Sequence, residues 1–297
     1  MKPPRFDYVL PRGVEEALSV LAQHGEQAKV LAGGQSLVPL LNFRLVRPAY
    51  LVDLNDVAGL DGIRVADGWL CIGAMTRQRA VETSALVRER CPLLAEAMPQ
   101  IGHTQIRNRG TIGGSLAHGD PAAELPAVVA ALGGELVLQS ARGRRVLTPE
   151  QFFVGYLTTA AAPDELLVEV RLPVTPPRTG SAFLEVSRRH GDFALVGVAV
   201  TLTVDEAGVC IAGAIALTGV GPTPVVAREA ARALVGVRPV PAAFEEAGRR
   251  VAAGVTPDGD LHASSEYRQH LAGVLTRRAL ARAAERTGGR GATGERR

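Results

Sequence analysis

Two short stretches carry the residue types that could do chemistry. Ala32-Gly33-Gly34-Gln35-Ser36 and Thr111-Ile112-Gly113-Gly114-Ser115 each pair two glycines with a hydroxyl residue. Paired glycines let the backbone approach a ligand closely, and their oriented N–H groups suit an anion such as phosphate. Two such stretches ending in Ser suggest a ligand with two phosphates held from both sides. Neither matches G-x-G-x-x-G, and no G-x-x-x-x-G-K-[ST] occurs, so neither a Rossmann site nor a P-loop is supported. Read from the residues alone, each stretch is equally compatible with a plain turn. Glu124 follows Thr111 at the first turn of an expected helix, where a carboxylate could accept from ribose hydroxyls or simply favour the helix N-terminus. Asp120 is placed to cap that same helix. Arg107 and Arg109 flank Asn108 in an expected loop, available to a phosphate, a partner or a surface salt bridge.

The elements that must position these residues follow from periodicity and punctuation. Asp7–Leu10 reads as a short strand, and Val14, Ala17, Leu18 and Leu21 fall at helical spacing with Gly25 at the stop. Lys29–Ala32 is a strand feeding the first glycine pair. Ser36 is expected to cap a helix with Leu37, Leu40, Leu41 and Leu45 inside, and Tyr50–Leu54 is a strand. This alternation makes a small α/β unit over residues 1–57. A second unit, 58–174, begins with a hairpin at Ala66-Asp67-Gly68 and continues with expected helices at Thr76–Arg88, Pro92–Met98 and Pro121–Leu132. It closes with strands around Glu135–Leu138, Arg145–Leu147 and Glu165–Leu172, and Thr148-Pro149-Glu150-Gln151 reads as a capping box. Residues 175–180 are a candidate linker. Residues 181–286 read as three antiparallel strands at 181–188, 194–204 and 209–217, covered by helices near 225–235, 241–253 and 264–286. Residues 287–297 read as a disordered tail.

Bulk composition narrows the classes. The 297 residues are 46% hydrophobic and 4% aromatic, enough for a sizeable core. The net charge of +3 is carried by the last twelve residues, so no basic nucleic-acid face is expected. Cys71, Cys91 and Cys210 form no C-x-x-C, so the chain does not itself ligate an iron–sulfur cluster through four thiolates, and they read as reduced, cytoplasmic thiols. No apolar run follows Met1-Lys2-Pro3-Pro4-Arg5 and none reaches membrane-spanning length, so neither a secretory signal nor a membrane span is expected. The six histidines show no H-x-x-x-H or H-E-x-x-H spacing, and no metal ligand or catalytic triad is assigned.

Ala32–Ser36 followed by Leu37-Val38-Pro39-Leu40-Leu41, then Ile106–Ser115, then Asp120-Pro121-Ala122-Ala123-Glu124, resemble the FAD-binding medium subunit of molybdenum hydroxylases, the carbon monoxide dehydrogenase and xanthine dehydrogenase family. The resemblance runs over residues 1 to 285. It implies an α+β fold: a two-part FAD-binding domain of the PCMH or vanillyl-alcohol-oxidase type, then an α+β C-terminal domain with a three-stranded antiparallel sheet. It assigns Gly33, Gly34, Gln35 and Ser36, with Thr111, Gly113, Gly114 and Ser115, to the FAD diphosphate, and Ala32, Leu37 and Ile112 to the cofactor site. Glu124 is a further cofactor contact. Ile101 and Leu167 match positions packed on the flavin, and Phe193 of His190-Gly191-Asp192-Phe193 matches an aromatic near the ring. Where the xanthine-oxidising branch often has a Lys, this chain has Leu184 and Glu185. Tyr267-Arg268 matches the C-terminal domain's packing pattern. The implied function is electron transfer: a large partner subunit with a molybdopterin cofactor oxidises the substrate, and a small partner with two [2Fe–2S] clusters passes electrons to this FAD and on to an external acceptor. A dimer of heterotrimers is the implied assembly. Two other readings stand beside it: a stand-alone flavin oxidoreductase of the same fold, and a scaffold that has lost FAD.

Overall fold

The structure is a computed structural model and describes residues 2–288. The first unit is built of β1 (Asp7–Val9), α1 (Val14–His24), β2 (Ala28–Leu31), α2 (Leu37–Asn42) and β3 (Tyr50–Asp53). Its strands are parallel in the order β1-β3-β2. α1 buries Ala17, Leu18 and Leu21 and stops at Gly25, whose φ of 50° favours glycine. α2 departs from expectation in two ways. Ser36 stands at its N-cap without a side-chain bond, because its own φ/ψ is already helical. Leu45 is 72% exposed, since the helix ends at Asn42 and Arg44 takes a positive φ. The unit has no closed core of its own: Leu18, Leu21 and Val52 pack with Met75, Val137, Leu166 and Val168 of the next unit.

The second unit opens with β4 (Ile63–Ala66) and β5 (Trp69–Gly73), joined by Asp67 and Gly68, both at positive φ as a tight hairpin requires. The single helix expected over 76–88 is two, α3 (Gln78–Thr83) and α4 (Ala85–Arg90). Ser84 breaks the run and caps α4 by accepting from the Val87 N–H. There follow α5 (Pro92–Ala97), α6 (Thr104–Arg109), α7 (Ile112–His118), α8 (Glu124–Leu132), β6 (Glu135–Ser140) and β7 (Gly143–Leu147). The unit closes with α9 (Pro149–Phe152), the ribbon β8 (Phe153–Gly155) with β9 (Thr158–Thr159), and β10 (Leu166–Pro173). The main sheet is antiparallel, in the order β4-β5-β10-β6-β7. Thr148 and Gln151 form the expected capping box on α9. α8 starts three residues later than expected, at Glu124, because Asp120 Oδ1 accepts from Ala122 N at 2.8 Å. Asp120 therefore closes the preceding turn rather than capping the helix.

The C-terminal unit holds β11 (Thr179–Ser187), β12 (Ala194–Val204), β13 (Cys210–Thr218), β14 (Val225–Val226), α10 (Arg228–Arg232), α11 (Pro241–Gly254) and α12 (Ser265–Glu285). Its sheet is antiparallel and has four strands, not three; the fourth pairs two residues at the start of what reads as a helix in sequence. β11 begins inside the expected linker, at Thr179, and Gly180 lies directly under α12. α11 and α12 cross at Gly248 and Gly273, which let the two backbones meet. Thr287, expected in the tail, is 7% exposed and its hydroxyl donates to Ala284 O; residues 289–297 lie outside the described residues.

The last two units share a seam. α8 packs on β12 and β13, and Phe183 of β11 joins the core of the second unit. The Thr218 hydroxyl lies 2.5 Å from Pro121 O and 2.8 Å from Ala123 O, and Gly219 N donates to Pro121 O at 2.8 Å. The turn that leads into Glu124 is thus held by the C-terminal sheet. Among the described residues no helix is long and apolar enough to cross a membrane.

Candidate functional site

The two glycine-bearing stretches, far apart in sequence, meet. A Cβ on Gly33 would stand 2.7 Å from Gly110 Cα and closer still to Arg109 O. A Cβ on Gly114 would lie 3.2 Å from the Ala32 side chain and 2.7 Å from Thr111 Oγ1. At Gly33 glycine is needed because backbone presses on backbone and cannot swing aside; at Gly114 the neighbours are the Thr111 and Ala32 side chains.

The two stretches contribute differently. The N–H groups of Gly33, Gly34, Gln35 and Ser36 donate to no protein group among the described residues, while Gln35 Nε2 folds back onto Gly33 O at 3.2 Å. Gly34 takes φ 74°. A run of unpaired N–H groups suits an anion. Thr111–Ser115, expected as a second loop of that kind, is the first turn of α7. Its N–H groups are already used: Ile112 N donates to Thr76 O, Gly113 N to Ala74 O, Gly114 N to the capping Thr111 Oγ1, and Ser115 N to Thr111 O. What it can offer a ligand is the Ser115 hydroxyl, which has no partner among the described residues; Gly114 is packed against Thr111 Oγ1 and Ala32. Gly113 faces inward; its Cβ would fall 2.7 Å from Ala74 O, so it serves close packing on the end of β5.

A polar network that sequence reading missed ties the stretches together. Asn55 Nδ2 donates to Ala32 O at 3.1 Å. Arg77 Nη2 donates to Asn55 Oδ1 at 2.5 Å, and its Nη1 donates to Arg109 O. Arg77 and Thr111 also form an isolated β-bridge. Burial, followed by the nearby Arg109 charge, pulls the Arg77 guanidinium below its ordinary pKa. No motif marks Asn55 or Arg77, because their partners are main-chain atoms of distant segments.

The remaining candidates sit on several other elements. Ile101 and Leu167 are each 8% exposed and share one apolar cluster. Leu167 sits at a β-bulge of β10, and Val168 O accepts from Ala74 N at 3.0 Å. Leu37 opens α2 and is half-buried. Phe193 lies in the β11–β12 connection and is 58% exposed, so it is not a core aromatic. That connection rests on the second unit: a Cβ on Gly191 would lie 2.6 Å from His103 Nδ1 and 3.0 Å from Gly102 O. Glu124 is 4% exposed at the first position of α8. Burial, with a contribution from Asp120, pushes its carboxyl up to about 7. Glu185 on β11 is pushed up to about 8, by burial and then by Glu124, and its Oε2 has no partner. Arg107 and Arg109, expected in a loop, belong to α6, and Arg107 is buried rather than offered to a phosphate.

An unpaired N–H run at Gly33–Ser36, a hydroxyl at Ser115 without a partner among the described residues and a close approach of the two glycine stretches fit the phosphate part of a nucleotide cofactor. Together with the two-part α+β frame they define an FAD-binding flavoprotein domain. Comparison with known proteins places the chain further. Residues 4–175 match the family model described as the FAD-binding domain in molybdopterin dehydrogenase, and residues 181–283 match the CO dehydrogenase flavoprotein C-terminal domain. Two relatives are 45% identical: the 6-hydroxypseudooxynicotine dehydrogenase complex subunit alpha of Paenarthrobacter nicotinovorans (96% of this chain, 97% of the relative) and the caffeine dehydrogenase subunit beta of Pseudomonas sp. (strain CBB1) (96% and 97%). Among solved structures, a reconstituted CO dehydrogenase from Oligotropha carboxidovorans superposes with a TM-score of 0.94 at 39% identity, covering 96% of this chain and all of the other. The chain belongs to the FAD-binding subunits of the molybdenum hydroxylase family and is an oxidoreductase component.

Proposed function

We propose that this chain is the electron-transfer subunit of a three-part molybdenum hydroxylase. Its FAD receives electrons from two [2Fe–2S] clusters of a small partner, supplied in turn by a molybdopterin-bearing large partner, and passes them to an external acceptor. The full assembly is a dimer of heterotrimers in the cytoplasm. FAD, when bound, supplies a carrier that accepts electrons singly and releases them in pairs. The chain's own residues hold it. The N–H groups of Gly33–Ser36 and the Ser115 hydroxyl take the diphosphate, and Gly114 lets the two stretches come together around it. Ile101, Leu167 and Phe193 bound the ring, and Glu124 meets a polar edge of the cofactor. No side chain here is assigned acid–base chemistry; geometry governs the transfer.

The observation that carries this reading is the apposition of Gly33 with Arg109–Gly110 and of Gly114 with Ala32, beside four N–H groups that nothing among the described residues satisfies. Three separate buried cysteines, Cys71, Cys91 and Cys210, support the assignment of the iron–sulfur clusters to a partner. The test is to purify the chain and record its visible spectrum. Flavin bands are expected, with FAD released on denaturation. Gly114→Asp places a carboxylate where a phosphate should lie, and should abolish the bands while circular dichroism shows the fold intact. A folded wild-type chain that takes up no added FAD would overturn the reading.

A further inference from the structure

A buried arginine is rare unless every donor is met. Arg107 is 6% exposed, and all five of its N–H donors have a partner in reach. Nε and Nη2 form a fork on Glu82, at 2.9 Å to Oε2 and 3.1 Å to Oε1. Nη1 donates to Ile101 O at 2.8 Å and Gly102 O at 3.1 Å. Nη2 also lies 3.5 Å from Thr104 Oγ1. One planar group thus joins α3, the turn before α6 and α6 itself. Glu82 is its counter-ion and also pairs with Arg79 at 3.0 Å. No donor remains for a phosphate or a partner chain.

What the guanidinium holds is the turn that carries Ile101. Gly102 stands at φ 49°, and its carbonyl points toward both Arg107 and Gly191. His103 follows and meets Gly191, with its ring centroid 6.1 Å from that of His190. At the other end of the same short helix, Gly110 leads into Thr111, the cap of α7. Arg107 therefore sits between the seat of the 188–193 connection and the glycine junction.

We infer that Arg107, with Glu82 as its counter-ion, is a positioning residue for the flavin. It fixes Ile101 against the ring and sets the ledge, Gly102–His103, on which the connection bearing Phe193 rests. Arg107 touches no cofactor atom itself. This inference rests on the reading above that Ile101 and Phe193 bound the flavin.

Lysine keeps the charge but is a point donor that cannot span Glu82 and two carbonyls. Full-length Arg107→Lys is expected to weaken FAD binding at least tenfold and to change the visible-region circular dichroism of the bound flavin. Glu82→Gln, which keeps the guanidinium and its carbonyl contacts, should weaken binding less. Ile101→Ala removes the positioned side chain itself, so Arg107→Lys combined with Ile101→Ala should lose less affinity than the two single losses together. An Arg107→Lys chain that melts lower without FAD, yet binds it with wild-type affinity and dichroism, has lost only a structural contact and overturns the inference. Additive losses in the double variant also overturn it. Should Arg107→Lys not fold, Glu82→Gln with Ile101→Ala carries the same cycle. If the wild type binds no FAD, it is the cofactor reading that falls; if only the variants behave as wild type, it is this inference.

Discussion

Replacing Gly33 by alanine adds one methyl group at the point where the two cofactor stretches touch. The added Cβ would stand 2.7 Å from Gly110 Cα and 2.9 Å from Arg109 C, with Arg109 O closer still. These atoms are main chain, so no rotamer relieves the overlap. Contacts nearer an ordinary van der Waals distance require the stretches to part by about 1 Å, at a cost of about 1–3 kcal/mol for overpacking. The Arg77 bond to Arg109 O and the Asn55 bond to Ala32 O resist that parting. A diphosphate held from both sides then loses about one good contact. Hydrogen bonds to charged groups contribute about 1.5–3 kcal/mol each, so FAD affinity should fall by about 10–100-fold. The assay is FAD titration by calorimetry or flavin fluorescence, with thermal melting of the FAD-free chain alongside. Gly25→Ala is the control, because its Cβ would meet nothing within 4 Å and only its φ of 50° is strained. It should lower stability without changing FAD affinity in the folded chain. If Gly33→Ala binds FAD as tightly as wild type and melts at the same temperature, the apposition of the two stretches is wrong, and the site built on it falls.

Two further outcomes follow from the packing. The Glu124 and Glu185 carboxyls are held above their ordinary value of 4.5, at about 7 and about 8. The folded state binds more protons than the unfolded chain between pH 4.5 and 8, so this pair's contribution is complete below 4.5 and is lost as pH rises through 7 to 8. Stability differences between wild type and Glu124→Gln, measured by denaturant unfolding at several pH values, should favour the variant progressively from pH 5 to 8, by about 2 kcal/mol. A difference that is flat with pH would refute the burial of the pair. In the C-terminal unit, a Cβ on Gly180 would meet the Ala283 main chain, with Ala283 C at 2.8 Å. Gly180→Ala should lift α12 from the sheet and destabilise by about 1–3 kcal/mol while leaving FAD affinity unchanged; an unaltered melting temperature would contradict that packing.

Much of the frame was legible because its signals act within a few residues. Asp67-Gly68 marks a hairpin through positive φ, Gly25 stops α1, and Thr148 with Gln151 makes a capping box, each a rule of local backbone geometry. The β-α-β-α-β alternation of the first unit and the three long strands of the last were also legible, from runs of apolar residues between turn signals. Where local rules competed, the reading slipped: Ser84 split a helix that periodicity ran through, and Asp120 closed a turn instead of capping α8.

By itself the sequence determined the two glycine-bearing stretches, their hydroxyl partners and the family to which their spacing belongs, because glycine and small polar residues mark places where backbone must come close. Tertiary structure alone decided which N–H groups of each stretch stay unpaired. The N–H groups of Gly33–Ser36 stay open, while those of Ile112–Ser115 are consumed by Thr76, Ala74 and Thr111. It also decided that Asn55 and Arg77 bind the stretches together, that Arg107 is a buried clamp, and that Phe193 stands exposed. These outcomes depend on main-chain atoms brought together from distant segments, and no residue pattern along the chain encodes whether a backbone group will find its partner there or remain free.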